Sequence, residues 1–213
     1  KPPRQPVEKQ DCVGVDLGIN CLATCSDGKE IDNPKALSKK LKKLKRLNQA
    51  LSRKVKGSHN RYKAKLQLSK LHQRIKNIRK DALHKLSYYL TTRFNTVVLE
   101  DLNVKGMIQN RKLSRAIADV GFYELRRQVE YKAKYYGANV VFADRFYPSS
   151  KLCSSCGFKH EGLTLKDREW QCPHCETSHD RDVNAALNLK QLGLTKIAAS
   201  STVTACGEFG SGV

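Results

Sequence analysis

Four cysteines near the end of the chain constrain the fold most: Cys153-x2-Cys156 and, after fifteen intervening residues, Cys172-x2-Cys175. Two such pairs form knuckles whose thiolates reach one ion tetrahedrally, the pattern of a structural zinc site. Four protein ligands leave the zinc no open coordination position, so its expected work is folding and docking rather than chemistry. The plainer readings are four buried thiols without metal, or one of His160, His174 and His179 replacing a cysteine ligand. A zinc ribbon is expected over residues 149–179, with Ser149 and Ser150 as loop residues before the first knuckle or, alternatively, as phosphate contacts. Cys12, Cys21, Cys25 and Cys206 follow no such spacing and read as buried thiols.

Apolar residues recur at Leu37, Leu41, Leu44, Leu47, Leu51 and Val55, then at Ala64, Leu68, Leu71, Ile75, Ile78, Ala82 and Leu86, which is helical spacing. Gly57-Ser58 separates the two stripes and predicts a pair of antiparallel helices on a heptad-like seam over residues 35–93. That segment holds 20 Lys and Arg against one acid, Asp81, and so carries nearly all of the formal net charge of +20. A Lys-rich helical face is usually just solvated, but it then carries pairs of alternating sign, which are missing here. The expected partner is a nucleic-acid backbone, met by Lys39, Lys42, Lys43, Arg46, Arg53, Arg61, Lys65 and Arg74. Tyr62, Tyr88 and Tyr89 form no periodic platform and read as packing residues. With no run of about 18 apolar residues and no secretory-type start, no membrane is expected, and a cytoplasmic, nucleoid-associated location is.

Residues 1–11, rich in Pro and charge, read as a linker from something upstream. Residues 12–31 read as two or three strands with an Asp-Gly turn. Strands are expected over 96–102 and 139–146, a helix over 121–136 closed by Gly137, a last helix over 180–195 and a loose tail over 196–213. This order describes an α/β fold with a mixed sheet, residues 12–148 including the helical insertion 35–93. A doubly wound dinucleotide fold is disfavoured, because no G-x-G-x-x-G follows a strand.

Three acids stand in apolar strand or helix contexts: Asp16 in VGVDLG, Glu100 in TVVLEDL and Asp182 in HDRDVNAAL. Charge is normally avoided there, so something must compensate it. Hard oxygen ligands from separate elements suit Mg2+ or Mn2+, which activate water and steady a departing phosphodiester oxygen. Each acid alone has a plain reading, at a turn, at an exposed strand end, or in a first helical turn. Asp180 competes for the third place, but Asp182 shares a helix face with Ala185, Ala186 and Leu189, whereas Asp180 suits an N-cap.

The text VGVDLGIN, VVLEDLNV, YPSSKLCSSCG into CPHC, and HDRDVNAALNL, in this order, resembles the TnpB family, the OrfB-type transposon proteins related to type V CRISPR effector nucleases. The resemblance spans residues 12 to about 192. It implies an RNase H-like, RuvC-type core, with Asp16, Glu100 and Asp182 as metal-binding catalytic acids and Cys153, Cys156, Cys172 and Cys175 on zinc. It further implies a guide RNA derived from the transposon end, a target DNA, and an N-terminal half that precedes this sequence. Asn184 would help position metal or strand. Three other readings stand beside guided cleavage: a guided repressor that no longer cuts, a strand-transfer transposase, and a zinc-ribbon adaptor with structural acids only.

Overall fold

The computed structural model describes residues 8–164 and 166–205, with side chains as far as residue 199. Its elements are β1 (Gln10–Leu17), β2 (Cys21–Cys25), β3 (Glu30–Asp32), α1 (Ala36–Ser52), α2 (His59–Arg93), β4 (Phe94–Glu100), α3 (Val104–Gln109) and α4 (Ser114–Val120), followed by α5 (Phe122–Tyr136), β5 (Asn139–Ala143), β6 (Glu169–Gln171), β7 (Ser178–Asp180) and α6 (Arg181–Ala205). Most of the expected linker, Cys206 and the end of the expected tail lie outside the described residues.

Five strands form one mixed sheet in the order β3-β2-β1-β4-β5. β1 runs antiparallel to β2 and parallel to β4, which is itself parallel to β5. Between β2 and β3 the chain turns at Asp27-Gly28, where Gly28 takes φ 84°, a conformation that costs glycine least. Side chains alternate across the sheet. Val13, Val15, Val97 and Leu99 face one side, packed with Leu83, Leu86 and Leu90 of α2 and with Leu125 and Val129 of α5. Cys12, Val98 and Ala143 face the other side, against Leu189 of α6. The result is three layers, with α6 the helix that covers this second face among the described residues.

Close approach puts α6 there. A Cβ at Gly14 would collide with the Ala186 carbonyl and the Lys190 amide, and one at Gly193 would meet Val98 and Cys12. Glycine at both points lets the helix backbone lie directly on β1 and β4.

α1 folds back along α2 after a turn in which Gly57 has φ 82° and the Ser58 side chain accepts the Arg61 amide as N-cap. α2 packs on α1 through Leu71, Ile75 and Ile78 against Ala36, Leu37, Leu44 and Leu47. From Leu83 onward α2 joins the main core. α2 spans about 52 Å at 1.5 Å per residue, more than twice the length of its 17-residue partner. Three differences stand out. α3 and α4 fill a stretch for which no element was expected, β5 stops at Ala143, and α6 runs ten residues beyond the expected end at 195. Among the described residues no helix is long and apolar enough to cross a membrane.

Candidate active site and metal centre

The parallel pairing of β1 with β4 sets the first two acids together. Val15 is opposite Leu99, so one residue further along each strand Asp16 and Glu100 sit at the same end of the sheet. Both alternate onto the α6 face, where Asp182 enters from the first turn of the helix. All three line one cavity of about 600 Å³, together with Asn20, Arg168 and Arg181. Burial, reinforced by the negative charges of Glu100 and Asp182, pushes the Asp16 carboxyl from its ordinary 3.8 up to about 8. Burial also raises Glu100, partly offset by a hydrogen bond from Ser149. Three carboxyl groups thus share one space in which burial opposes the ionisation of Asp16 and Glu100. Their hard oxygen donors suit a divalent cation, and its charge would neutralise what the site now opposes.

Asp182 already has a partner: Arg168 donates from Nη1 to both of its oxygens, at 3.1 and 2.9 Å, and Arg181 Nε lies 3.8 Å away. It tops the stripe of buried Ala185, Ala186 and Leu189, half-buried itself. Asp180 stays outside the cavity and caps α6, its Oδ1 accepting from the Asp182 and Val183 amides at 3.0 and 2.9 Å.

Two groups at this site were not expected from the sequence. Ser149 is buried and its hydroxyl donates to Glu100 Oε1 at 2.6 Å, where a loop residue or a phosphate contact was foreseen. Arg168 reaches Asp182 from the ribbon, fourteen residues away in sequence. Neither sits in a periodic pattern, so no local signal marks them. Asn184, expected to help position metal or strand, instead spends its side chain on the first knuckle: it accepts from the Ser154 amide at 2.9 Å and donates to the Leu152 carbonyl at 2.6 Å.

The four sulfurs of Cys153, Cys156, Cys172 and Cys175 all lie within 4.8 Å of one another, and such a set of soft donors suits Zn2+. Backbone turns shape each knuckle, with the Gly157 and Glu176 amides donating to the Cys153 and Cys172 carbonyls at 2.8 and 2.9 Å. The Thr177 hydroxyl and amide pull the Cys175 thiol down to about 6, which favours the thiolate a metal needs. Of the three histidines, His174 stacks on Phe158 and His160 packs on Trp170. His179 is buried with Nε2 at 3.1 Å from Cys153 Sγ, a partner for a ligand sulfur.

The basic hairpin gathers only part of the expected contact set. Lys43 and Arg46 of α1 and Arg74 of α2 line one groove with Lys40 and Lys70, over a floor of Leu47 and Leu71. Lys39, Lys42, Arg53 and Lys65 are exposed elsewhere on the hairpin. Arg61 has a different role: its Nη1 donates to the Leu51 and Lys54 carbonyls, 3.0 Å each, and closes the end of α1. Tyr88 and Tyr89 do pack, edge-on to Tyr136 and Phe94. Tyr62 does not; it is 65% exposed on the first turn of α2. Cys12 and Cys25 are buried and Cys21 is half-buried.

Comparison with known proteins agrees with this architecture. The model of the OrfB_IS605 family, described as "Probable transposase", matches residues 1–111, and that of the Cas12f1-like TNB domain matches residues 122–189. A Streptomyces pristinaespiralis protein named as a candidate RNA-guided DNA endonuclease is 45% identical over 92% of this chain and 47% of its own length. The similarly named InsQ of Escherichia coli K12 is 36% identical over 92% of this chain and 51% of its own. The chain thus spans about half the length of the curated relatives it matches. A cryo-EM structure of a CRISPR-Cas12f ternary complex shares the fold, with a TM-score of 0.63 at 20% identity over 89% of this chain and 40% of that one. With more than half of its residues matched by the first of those family models, the chain belongs to the OrfB family, the TnpB proteins.

Proposed function

We propose that this chain is the RuvC-type nuclease portion of an RNA-guided DNA endonuclease, which hydrolyses a DNA phosphodiester at Asp16, Glu100 and Asp182 with Mg2+ or Mn2+. One observation carries the reading: three acids from β1, β4 and α6 converge on a single cavity, at an electrostatic cost that raises Asp16 to about 8. Carboxylates gathered in one cavity against a desolvation penalty are characteristic of functional sites. Bound divalent metal would supply an activated water and offset charge on the departing oxygen. Asp16 and Glu100, fixed by adjacent strands, hold one side of the site, and Asp182 closes it from the helix. The proton that Asp16 retains near neutrality leaves when a cation takes its place. The groove of Lys43, Arg46 and Arg74 would hold guide or heteroduplex backbone by charge and shape. The four-cysteine cluster would hold structural zinc.

The relatives named above as RNA-guided DNA endonucleases support guide RNA and target DNA as partners; a guide derived from the transposon end is part of the proposal. The test uses the longest form its gene encodes, with transposon-end RNA, target DNA and Mg2+ or EDTA. Asp16→Ala, Glu100→Ala and Asp182→Ala should each reduce cleavage at least about a thousandfold, since such a site supplies several kcal/mol of charge stabilisation. Asp180→Ala should retain it. Guide-dependent binding without cutting in the unaltered protein would make this an inert targeting protein, and strand-transfer products would make it a transposase.

A further inference from the structure

We propose that Ser149 is a positioning residue for Glu100, held in place by Asn188 of α6, so that the loop leading into the zinc ribbon orients the second acid. The inference rests on the reading of the three acids given above.

The links form a short continuous path. Asn188 is buried and donates from Nδ2 to the Ser149 carbonyl at 2.8 Å and to the Leu152 carbonyl at 2.7 Å. In return Tyr147, two residues before Ser149, donates its hydroxyl to the Asn188 carbonyl at 3.3 Å. Asn184, one helical turn earlier, donates to the Leu152 carbonyl and accepts from the Ser154 amide. The loop from Tyr147 to Ser154 is therefore stitched along α6 by buried side-chain amides. Each of those bonds satisfies loop backbone that burial would otherwise leave orphaned. That much serves folding alone.

The Ser149 hydroxyl does not. It leaves the stitched loop and donates to Glu100 Oε1 at 2.6 Å. Glu100 ends β4 with a long side chain that has several staggered choices. A short bond from a donor on a loop whose backbone Asn188 holds selects one of them and commits Oε1, leaving Oε2 to other partners. Partners of this kind orient metal-binding carboxylates and raise affinity without touching the metal. The geometry also explains why a serine, with no charge of its own, is buried beside a carboxylate that burial has already made harder to ionise. Because α6 carries Asp182 on its first turn and Asn188 less than two turns later, one helix sets the third acid directly and the second through Ser149.

Mn2+ binding to the longest form its gene encodes, measured by calorimetry and electron paramagnetic resonance, tests the proposal without using cleavage as the readout. Ser149→Ala should keep the zinc content and guide-dependent target binding of the unaltered protein, while the Mn2+ concentration for half-saturation rises about tenfold. Ser149→Thr, which keeps the hydroxyl, should return it to within about threefold of the original. Asn188→Leu should weaken Mn2+ binding in the same direction if it folds, and Ser149→Ala decides the matter if it does not. Unchanged Mn2+ binding in Ser149→Ala overturns the positioning role and leaves the three acids intact as ligands. Loss of zinc or of the folded state in Ser149→Ala overturns it too, by making the residue structural. Absence of any saturable Mn2+ site in the unaltered protein strikes the acid site itself.

Discussion

In the ribbon, four sulfurs lie within 4.8 Å of one another and need only an ion between them. The three carboxylates at the end of the sheet come from three elements, and two of them are already bonded to the protein, Glu100 to Ser149 and Asp182 to Arg168. The difference follows from the chemistry each cluster serves. Soft thiolates around a closed site can be preassembled by two local turns, because each knuckle is specified by neighbours in sequence. Hard, charged carboxylates repel one another in a poorly hydrated cavity, so only a rigid scaffold keeps them converging. The ribbon stores its information locally and the acid site stores it in the sheet.

Removing one ligand should break that contrast most severely. Cys172→Ser deletes a buried ligand, and structural zinc carries on the order of 10 kcal/mol of apparent binding free energy in small zinc modules. Leu163, Trp170, Cys153 and Cys172 form a core of their own, with Cys175 packed against it. Zinc analysis should therefore show the metal lost and proteolysis should cut within residues 149–179, while the sheet core still melts cooperatively. Joint collapse of both regions would refute the separation.

The scaffold side has its own weak point at Gly14. Any side chain there must lift α6 away from β1, and overpacking of this kind costs about 1–3 kcal/mol. Gly14→Ala should lower the melting temperature and also reduce cleavage beyond what the stability loss explains, since it moves Asp182 relative to Asp16. Zinc content should be unaffected. Activity at the unaltered level in a folded Gly14→Ala protein would show that helix contact does not set the acid geometry.

Much of the local half of this division was legible in advance. The cysteine spacing and the apolar stripes of α1 and α2 are periodic signals, the apolar runs of β1 and β4 read as strands, and each acid stood out as charge in apolar text. Ser149 and Arg168 carried no such mark: their meaning arises only when the ribbon folds over β4 and α6. The short α3 offers less than two turns of pattern and depends on Asn103 accepting the Gly106 amide. The far end of α6 consists of small and polar residues whose helicity continues from the packed turns before it. Arg61 reads in sequence as one more cation, and only the turn at Gly57 reveals it as the group that closes α1.

Smaller effects should follow from the charge that the acid site contains. The folded protein holds the Asp16 proton to about pH 8, whereas an unfolded chain releases it near 3.8. The stabilising contribution is complete below the lower value and is lost as pH rises through the upper one. In EDTA the melting temperature should therefore fall between about pH 4 and 8 more steeply than in Asp16→Asn, and saturating Mg2+ should flatten the difference. Parallel pH profiles for the two proteins would remove the electrostatic cost on which the site's reading depends.

The basic groove should show the smallest effect per residue and the least local one. Lys43, Arg46 and Arg74 meet over Leu47 and Leu71, in a groove whose lining is mostly cationic and so suits phosphate more than base edges. Replacing any one by Gln should weaken binding of unrelated RNA or heteroduplex sequences by a similar factor and flatten the slope of log affinity against log salt by roughly one unit. Arg61→Gln should instead loosen the hairpin turn, visible as faster amide exchange at residues 51–58, with a smaller change in that slope. If Arg61→Gln flattens the salt dependence as much as Arg74→Gln, the division between cations that cap helices and cations that meet phosphate fails at the residue where the two predictions differ most.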